Sequence, residues 1–364
     1  MPKYRESFFN SLQELGNKSG INYLIYSGKS PKDSTGRNDE IDLSSRWTLV
    51  PSMELNLLNR SLILHKLEKE WKNSDLVITE HAIRNIVLYK WLFWKRPRRI
   101  ALWGHGKTYT KTNTKLEELL KSKLVNRADW FFSYTQNGAD SIIQGGFSPL
   151  NTTVVLNSTD TKTLNRMINS IKREDVEDFR KKYNLGTGPC AVFIGALDPS
   201  KRLDFLISAA VKVQEKVPNF QLLIFGNGPE LNKITAACTK YPFIKYCGRA
   251  EIKTQALISK VGSIIMMPGR VGLIAVDSLT MQLPIVTTRW PWHAPEIEYL
   301  TPGENSLVCE DNVEVYSAEV VKLLKNEELL ASMKKYCAVE SKKYTTENMA
   351  LNFHEGVLKA LAKE

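Results

Sequence analysis

The residues best suited to chemistry fall in three short stretches. In residues 266–288, MMPGRVGLIAVDSLTMQLPIVTT, a bare turn at Gly269 and Gly272 precedes apolar positions at helical spacing. Backbone N–H groups and the positive end of a helix dipole there suit a diphosphate. Asp277 lies five residues past Gly272, about 7.5 Å along a helix axis. A carboxylate so placed can take both hydroxyls of a ribose, and it can equally be a solvated side chain on a packing helix. In ALDPSKRLDFLISA, Lys201 and Arg202 stand where a strand passes into a helix. Cations at a helix start oppose the dipole, so simple solvation explains them poorly, whereas neutralising a diphosphate leaving group explains them well. In Trp103-Gly104-His105-Gly106-Lys107 the imidazole sits between glycines just past a strand, open to a substrate. A lone histidine is also often structural, and His65, His81 and His354 are read so.

These stretches need elements to carry them. Strand-length apolar runs alternate with helical patterns along the whole chain, which implies an α/β architecture of doubly wound parallel sheets. The first half reads as a helix over 5–17, a strand over 21–26, a polar surface loop over 30–45 and a helix over 57–72. Short strands at 76–79, 99–103, 130–134 and 153–156 follow, with helices at 82–94, 115–126 and 138–144 between them. Such a domain usually opens on a strand. This chain opens on a loop and a helix, which suggests a missing or mis-started segment. Residues 160–188 read as a charged, helix-bearing linker. Beyond it strands are expected at 191–195, 221–225, 244–247, 263–267 and 283–288, with a helical end over 318–363. The expected domains are 1–160 and 161–345, with a last helix over 346–364 packing back on the first.

Composition narrows the class. The chain has 364 residues, 43% of them hydrophobic, and a net charge of +11. No apolar run is long enough to span a bilayer and no secretory leader stands at the start, so a cytoplasmic location is expected. The five cysteines are odd in number and lack a Cys-x-x-Cys pair, which favours reduced thiols over disulfides or zinc. The charge is uneven: residues 1–150 carry 23 Lys and Arg against 15 Asp and Glu, and residues 151–364 carry 27 against 24. An anionic partner for the first half follows. The stretch 90–99, KWLFWKRPRR, joins five cations to three aromatics without an acid. That pattern suits docking on the inner face of an anionic membrane, or else a helix end with buried rings and solvated cations. Nucleic acid is disfavoured because no second basic-aromatic cluster supports it.

In their order these motifs resemble the glycosyltransferase family 4 enzymes, retaining nucleotide-sugar transferases of the GT-B fold. The matching pieces are VVLNSTD at 154–160, FIGALDPSKRLDFLISA at 193–209, LLIFGNGPE at 222–230, YCGRAEI at 246–252, PGRVGLIAVDSLTMQLPIVTT at 268–288 and HAPEIEYLTPGENSLV at 293–308. The resemblance implies two Rossmann-like domains facing across a cleft, the donor nucleotide on the second and the acceptor mainly on the first. It makes Lys201 the diphosphate-contacting lysine, Asp277 the ribose-holding acid and His105 the histidine beside the reacting sugar. It places Gly195, Gly226, Arg249, Gly269, Val271, Gly272 and Leu273 around the donor. It implies no cofactor besides a nucleoside diphosphate sugar, no metal, and a glycan or lipid-linked acceptor. Two positions depart from the pattern. The first acid of the family's Glu-(seven residues)-Glu motif falls on Gly269, and the arginine expected after Gly195 is Ala196, for which Arg202 can substitute. The Pro-Gly-x-Val-Gly-Leu form resembles a subgroup of bacterial polysaccharide and O-antigen transferases. A non-catalytic partner subunit, which would bind no donor, and a sugar-nucleotide epimerase or hydrolase, which would turn over donor without acceptor, are the rival expectations.

Overall fold

The computed structural model describes residues 3–28, 48–50, 52–57, 60–65, 69–82, 85–109 and 121–363. The expected loop at 30–45 and most of the helix expected at 115–126 lie outside them; residues 121–125 are helical. The chain divides into two compact units, Met1–Asn157 with Thr346–Glu364, and Ser158–Thr345.

The first unit holds eight of the strands. β1 (Tyr26–Gly28) pairs in parallel with β2 (Thr48–Val50), and β3 (Ser52–Leu57) pairs antiparallel with β4 (Arg60–His65). β5 (Val77–Glu80), β6 (Ile100–Gly104), β7 (Trp130–Ser133) and β8 (Thr152–Val154) form a four-stranded parallel sheet in that order. The β3–β4 hairpin replaces the helix expected over 57–72. In SMELNL polar and apolar residues alternate, the period of a strand, RSLILH carries a short apolar run of strand length, and the two segments satisfy each other's backbone groups across six residue pairs. One face of the parallel sheet is covered by two helices. Glu6–Ser19 buries Phe8 and Leu12, and Thr346–Ala362 buries Met349, Ala350, Phe353 and Val357 at intervals of one turn. The Phe353 ring stacks on Phe132 of β7 at 4.3 Å between centroids. The last helix therefore completes the first unit's core. His354 on it meets Tyr23 Oη at 2.7 Å and Ser19 Oγ at 3.1 Å, a packing histidine.

The second unit is built on β9 (Cys190–Ile194), β10 (Gln221–Phe225), β11 (Ile244–Tyr246), β12 (Ile264–Met266), β13 (Ile285–Thr288) and β14 (Ser306–Cys309). All pairings are parallel, and the spatial order is β11-β10-β9-β12-β13-β14. Numbered within the unit this is 3-2-1-4-5-6, the doubly wound order whose direction reverses between the first and fourth strands. β9 and β12 are buried almost throughout and read as near-continuous apolar runs, as strands covered on both faces must. The stretch read as a linker is part of this body: helices Thr161–Ser170 and Arg173–Lys182 pack on helix Ile252–Val261 through Leu164 and Phe179. The unit accordingly starts at Ser158. The helical end is three helices, Val313–Lys325, Glu327–Glu340 and Thr346–Ala362, the first two in this unit.

Candidate functional site

The strand order reverses between β9 and β12, the place where doubly wound sheets bind ligands, and the loops leaving those two strands meet there. Past β9 the chain turns through Asp198, whose carboxylate accepts from the Ser200 N–H at 2.9 Å, into a short 3-10 turn, Pro199–Lys201. Past β12 it passes Pro268 and Gly269. The two loops lie backbone to backbone: the Arg270 N–H donates to Ser200 O at 2.9 Å, and the Lys201 ammonium donates to Arg270 O. A side chain at Gly269 would place its first carbon 2.4 Å from Ser200 O and 2.6 Å from the Lys201 carbonyl carbon. Glycine is thus required for the loops to touch, and the acid seen in the family has no room in this arrangement. The departure at Gly269 is a steric consequence of how closely Lys201 is held. The lysine stem passes Gly195, where an added carbon would stand 3.4 Å from Lys201 Cε.

The helix that follows begins later than the periodicity suggests, at Ile274, and runs to Met281. Residues 271–273 form the turn before it. Val271 does not offer its N–H to a ligand: it donates to His293 Nδ1 at 3.1 Å, and its side chain is fully buried. This corrects the expectation that Val271 helps hold the donor. Among the described residues the N–H groups of Gly272, Leu273 and Ile274 make no hydrogen bond. They are the orphan donors of a helix start, beside a bound ammonium. Sequence reasoning passed over His293. Its Nε2 meets Thr288 O at 2.8 Å, so the ring carries its proton there and accepts from Val271. Burial holds its pKa below the usual histidine value, the Thr288 contact opposes this, and Lys201, Arg270 and Arg202 lower it further. A neutral imidazole therefore fixes the turn from behind. Arg270 was missed as well. Its Nη1 donates to Trp292 O at 2.9 Å; burial holds its pKa below the usual arginine value, and the carboxylates of buried Glu296 and of Asp198 oppose this. The only signal for either residue was membership of the quoted motifs.

Arg202 differs from Lys201. It adopts a left-handed backbone at φ 56°, pairs with Asp311, reaches Thr288 Oγ1 at 3.4 Å and lies over the Phe205 ring. Its charge is answered within the protein. Gly226 is held by close approach, since a side chain there would meet Gly195 O at 1.9 Å. Arg249 is exposed beyond edge strand β11, two strands from the reversal. Asp277 sits in the first turn of its helix and accepts from Thr159 Oγ1 at 2.7 Å. Some of its surface remains accessible although protein surrounds it on most sides, and burial raises its pKa to about 6 against the lowering effect of Thr159. Such a carboxylate is prepared to accept hydroxyl protons and poorly served by water.

In the first unit, His105 follows β6 and is exposed, with its ring edge-on to Tyr134 at 4.7 Å and Tyr109 at 5.9 Å. Gly106 at φ 73° lies against Gly138, and a side chain there would overlap Gly138 O at 2.1 Å. This contact presses the loop onto the start of helix Gln136–Gln144 and turns the imidazole outward. His81, at the end of neighbouring β5, is neutral near pH 7: burial, with Lys121 and His105 nearby, lowers its pKa to about 4. Within 90–99, Trp94 is 78% exposed and Phe93 is 44% exposed, whereas Trp91 is buried. The five cations are less free than their sequence suggests, because Arg96 pairs with Asp129 and Arg98 with Asp75. Among the described residues no helix is long and apolar enough to cross a membrane, and no three His, Cys, Asp or Glu side chains gather as metal ligands would.

Known proteins share this framework. Residues 175–338 match the family model "Glycosyl transferases group 1". An uncharacterized glycosyltransferase of Methanocaldococcus jannaschii is 26% identical over 242 residues, 64% of this chain and 63% of that protein, so the chain spans under two thirds of that relative's length. A glycosyltransferase from Rickettsia africae superposes over 100% of this chain and 98% of its own with a TM-score of 0.72 at 10% identity. Anabaena HepE, solved in complex with UDP, superposes over 80% of both chains with a TM-score of 0.63 at 13% identity. Likeness at such identities establishes the fold, and it is the GT-B fold of two Rossmann-like units. The segment that matches the glycosyl transferases group 1 family, residues 175–338, contains both loops that meet at Gly269.

Proposed function

We propose that this protein transfers a sugar from a nucleoside diphosphate donor to an acceptor hydroxyl with retention of anomeric configuration. The observation that carries this reading is the Lys201 ammonium, clamped over Gly269 beside the unpaired N–H groups of Gly272, Leu273 and Ile274. Departure of a diphosphate places negative charge at the donor's distal phosphate. A fixed cation and a helix start stabilise that charge as it develops. The bond from the anomeric carbon to the phosphate oxygen breaks, the acceptor oxygen bonds the same carbon, and the acceptor's proton passes to the departing phosphate. No nucleophile from the protein is required. Asp277 takes the ribose hydroxyls and His105 positions the sugar. Lys201 acts on the leaving group; Arg202, already paired with Asp311, supports the 3-10 turn and the lysine beside it. HepE structures with UDP, with UDP and glucose, and with UDP-glucose make a uridine nucleotide the first donor to try.

The acceptor in this reading is a glycan or lipid-linked sugar of a cell-surface polysaccharide, met at an anionic membrane through Trp94, Phe93, Lys90 and Lys95. The reaction runs without a metal or other cofactor. A thermal-shift screen against UDP, GDP, ADP and dTDP sugars, followed by transfer assays with and without EDTA, tests the proposal. Stabilisation by one nucleotide class and acceptor-dependent release of its diphosphate are expected. A protein that binds no nucleotide sugar, or that consumes donor without an acceptor, refutes it.

A further inference from the structure

The six-motif pattern gives a role to Asp277 and none to the hydroxyl that holds it. Thr159 Oγ1 donates to Asp277 Oδ1 at 2.7 Å, and both side chains are half-buried. Thr159 is held on each side by its neighbours. Ser158 Oγ donates to Tyr344 O at 2.7 Å, and the Asp160 carboxylate caps helix Thr161–Ser170 by accepting from the Thr163 N–H at 3.1 Å. Three consecutive polar side chains thus fix one short segment, and the middle one points its proton at the acid.

Building on the ribose reading of Asp277, we propose that Thr159 is a positioning residue of the nucleotide site, which binds one carboxylate oxygen so that the acid stays ionised and presents the other to the ribose. A carboxylate has two oxygens and about four acceptor positions, so it serves Thr159 and two ribose hydroxyls together. Burial works against the ionised form and Thr159 is what opposes it. Four elements pack on the Asp277 helix: Glu327–Glu340, Thr161–Ser170, the 3-10 turn Pro295–Tyr299 and Ile252–Val261. Their charged residues include Lys334, Lys162, Arg166, Glu298 and Lys253, while the influences on the Asp277 proton are burial, which comes first, and Thr159.

The test is calorimetric titration of the full chain with UDP between pH 5 and pH 8.5, with GDP and ADP in parallel, on the parent, Thr159→Val, Thr159→Ser and Asp277→Asn. The parent is expected to lose affinity as pH falls through about 6. Thr159→Val should move that midpoint up by about one pH unit, which weakens binding about fivefold at the pH of the parent's midpoint and little at pH 8.5. Thr159→Ser should restore the parent's profile. A carbon-13 titration of the Asp277 carboxyl without nucleotide should show the same upward shift in Thr159→Val. If Asp277→Asn weakens binding while Thr159→Val keeps the parent's midpoint, Thr159 has no positioning role and the ribose reading survives. If Asp277→Asn binds as the parent does, or no nucleotide binds, the ribose reading fails and this inference fails with it.

Discussion

The crest of the second unit's sheet and that of the first solve similar problems by opposite means. Both lie at the carboxyl ends of parallel strands, and both bring two backbones together where only glycine fits: Gly269 on Ser200 and Lys201, and Gly106 on Gly138. In the second unit the contact captures the candidate side chain, since the Lys201 ammonium is bound to the opposite loop at Arg270 O. In the first it expels the side chain, leaving His105 exposed between tyrosine edges. A group that must meet the same diphosphate every time gains from being held before the ligand arrives. A group that meets a variable partner is better carried on an open loop.

Replacing Lys201 with Ala should bring the largest change. Turnover in a transfer assay should fall by about 10²–10³-fold or more, the scale for removing a fixed stabiliser of developing charge, with the circular dichroism spectrum intact. Near-parent turnover would mean that the capture at Arg270 serves structure alone. Next comes Gly269→Ala, which forces the loops apart and should lower unfolding free energy by about 3 kcal/mol in denaturant titrations. Gly272→Ala is its control. The nearest neighbour there, Ala294 Cβ, is at an ordinary 3.5 Å, so the loss should stay below about 1 kcal/mol. Equal losses would erase the distinction between the two glycines.

His105→Ala should reduce turnover by about tenfold to a hundredfold while nucleotide affinity stays unchanged and stability stays within about 0.5 kcal/mol. A parallel loss of nucleotide affinity would place the imidazole in the wrong half of the comparison. The last prediction concerns Asp277 without nucleotide. Its folded pKa of about 6 lies above the ordinary value of 3.8. A raised carboxylate pKa means that the folded state binds the proton more tightly. The stability tied to that proton is fully present below about pH 3.8 and is lost as pH rises through about 6. Asp277→Asn keeps an acceptor for Thr159 and removes the buried charge. Without nucleotide it should be more stable than the parent by about 2 kcal/mol at pH 8 and indistinguishable from it near pH 3.5, measured by thermal unfolding. A constant difference across that range would show that Asp277 is not desolvated.

The amino-acid sequence decided what depends on neighbours along the chain. The buried runs at 190–194, 221–225 and 264–266 and the turns after them announced an α/β chain, because period and length are local properties. His105, Lys201 and Asp277 stood out as candidates for a related reason: they follow the ends of β6, β9 and β12 by 1, 7 and 11 residues. Tertiary structure decided what depends on approach across the fold. The hairpin at 52–65 required one strand to find another. Glycine at 269 looked like a lost acid until the loop carrying Lys201 was seen to occupy the space of any side chain. The capture of the Val271 N–H by His293, of Arg202 by Asp311 and of the Asp277 carboxylate by Thr159 joins residues 22, 109 and 118 positions apart. Periodicity carries no information over such separations, and what decides between a free group and an occupied one is the distance between atoms that only folding brings together.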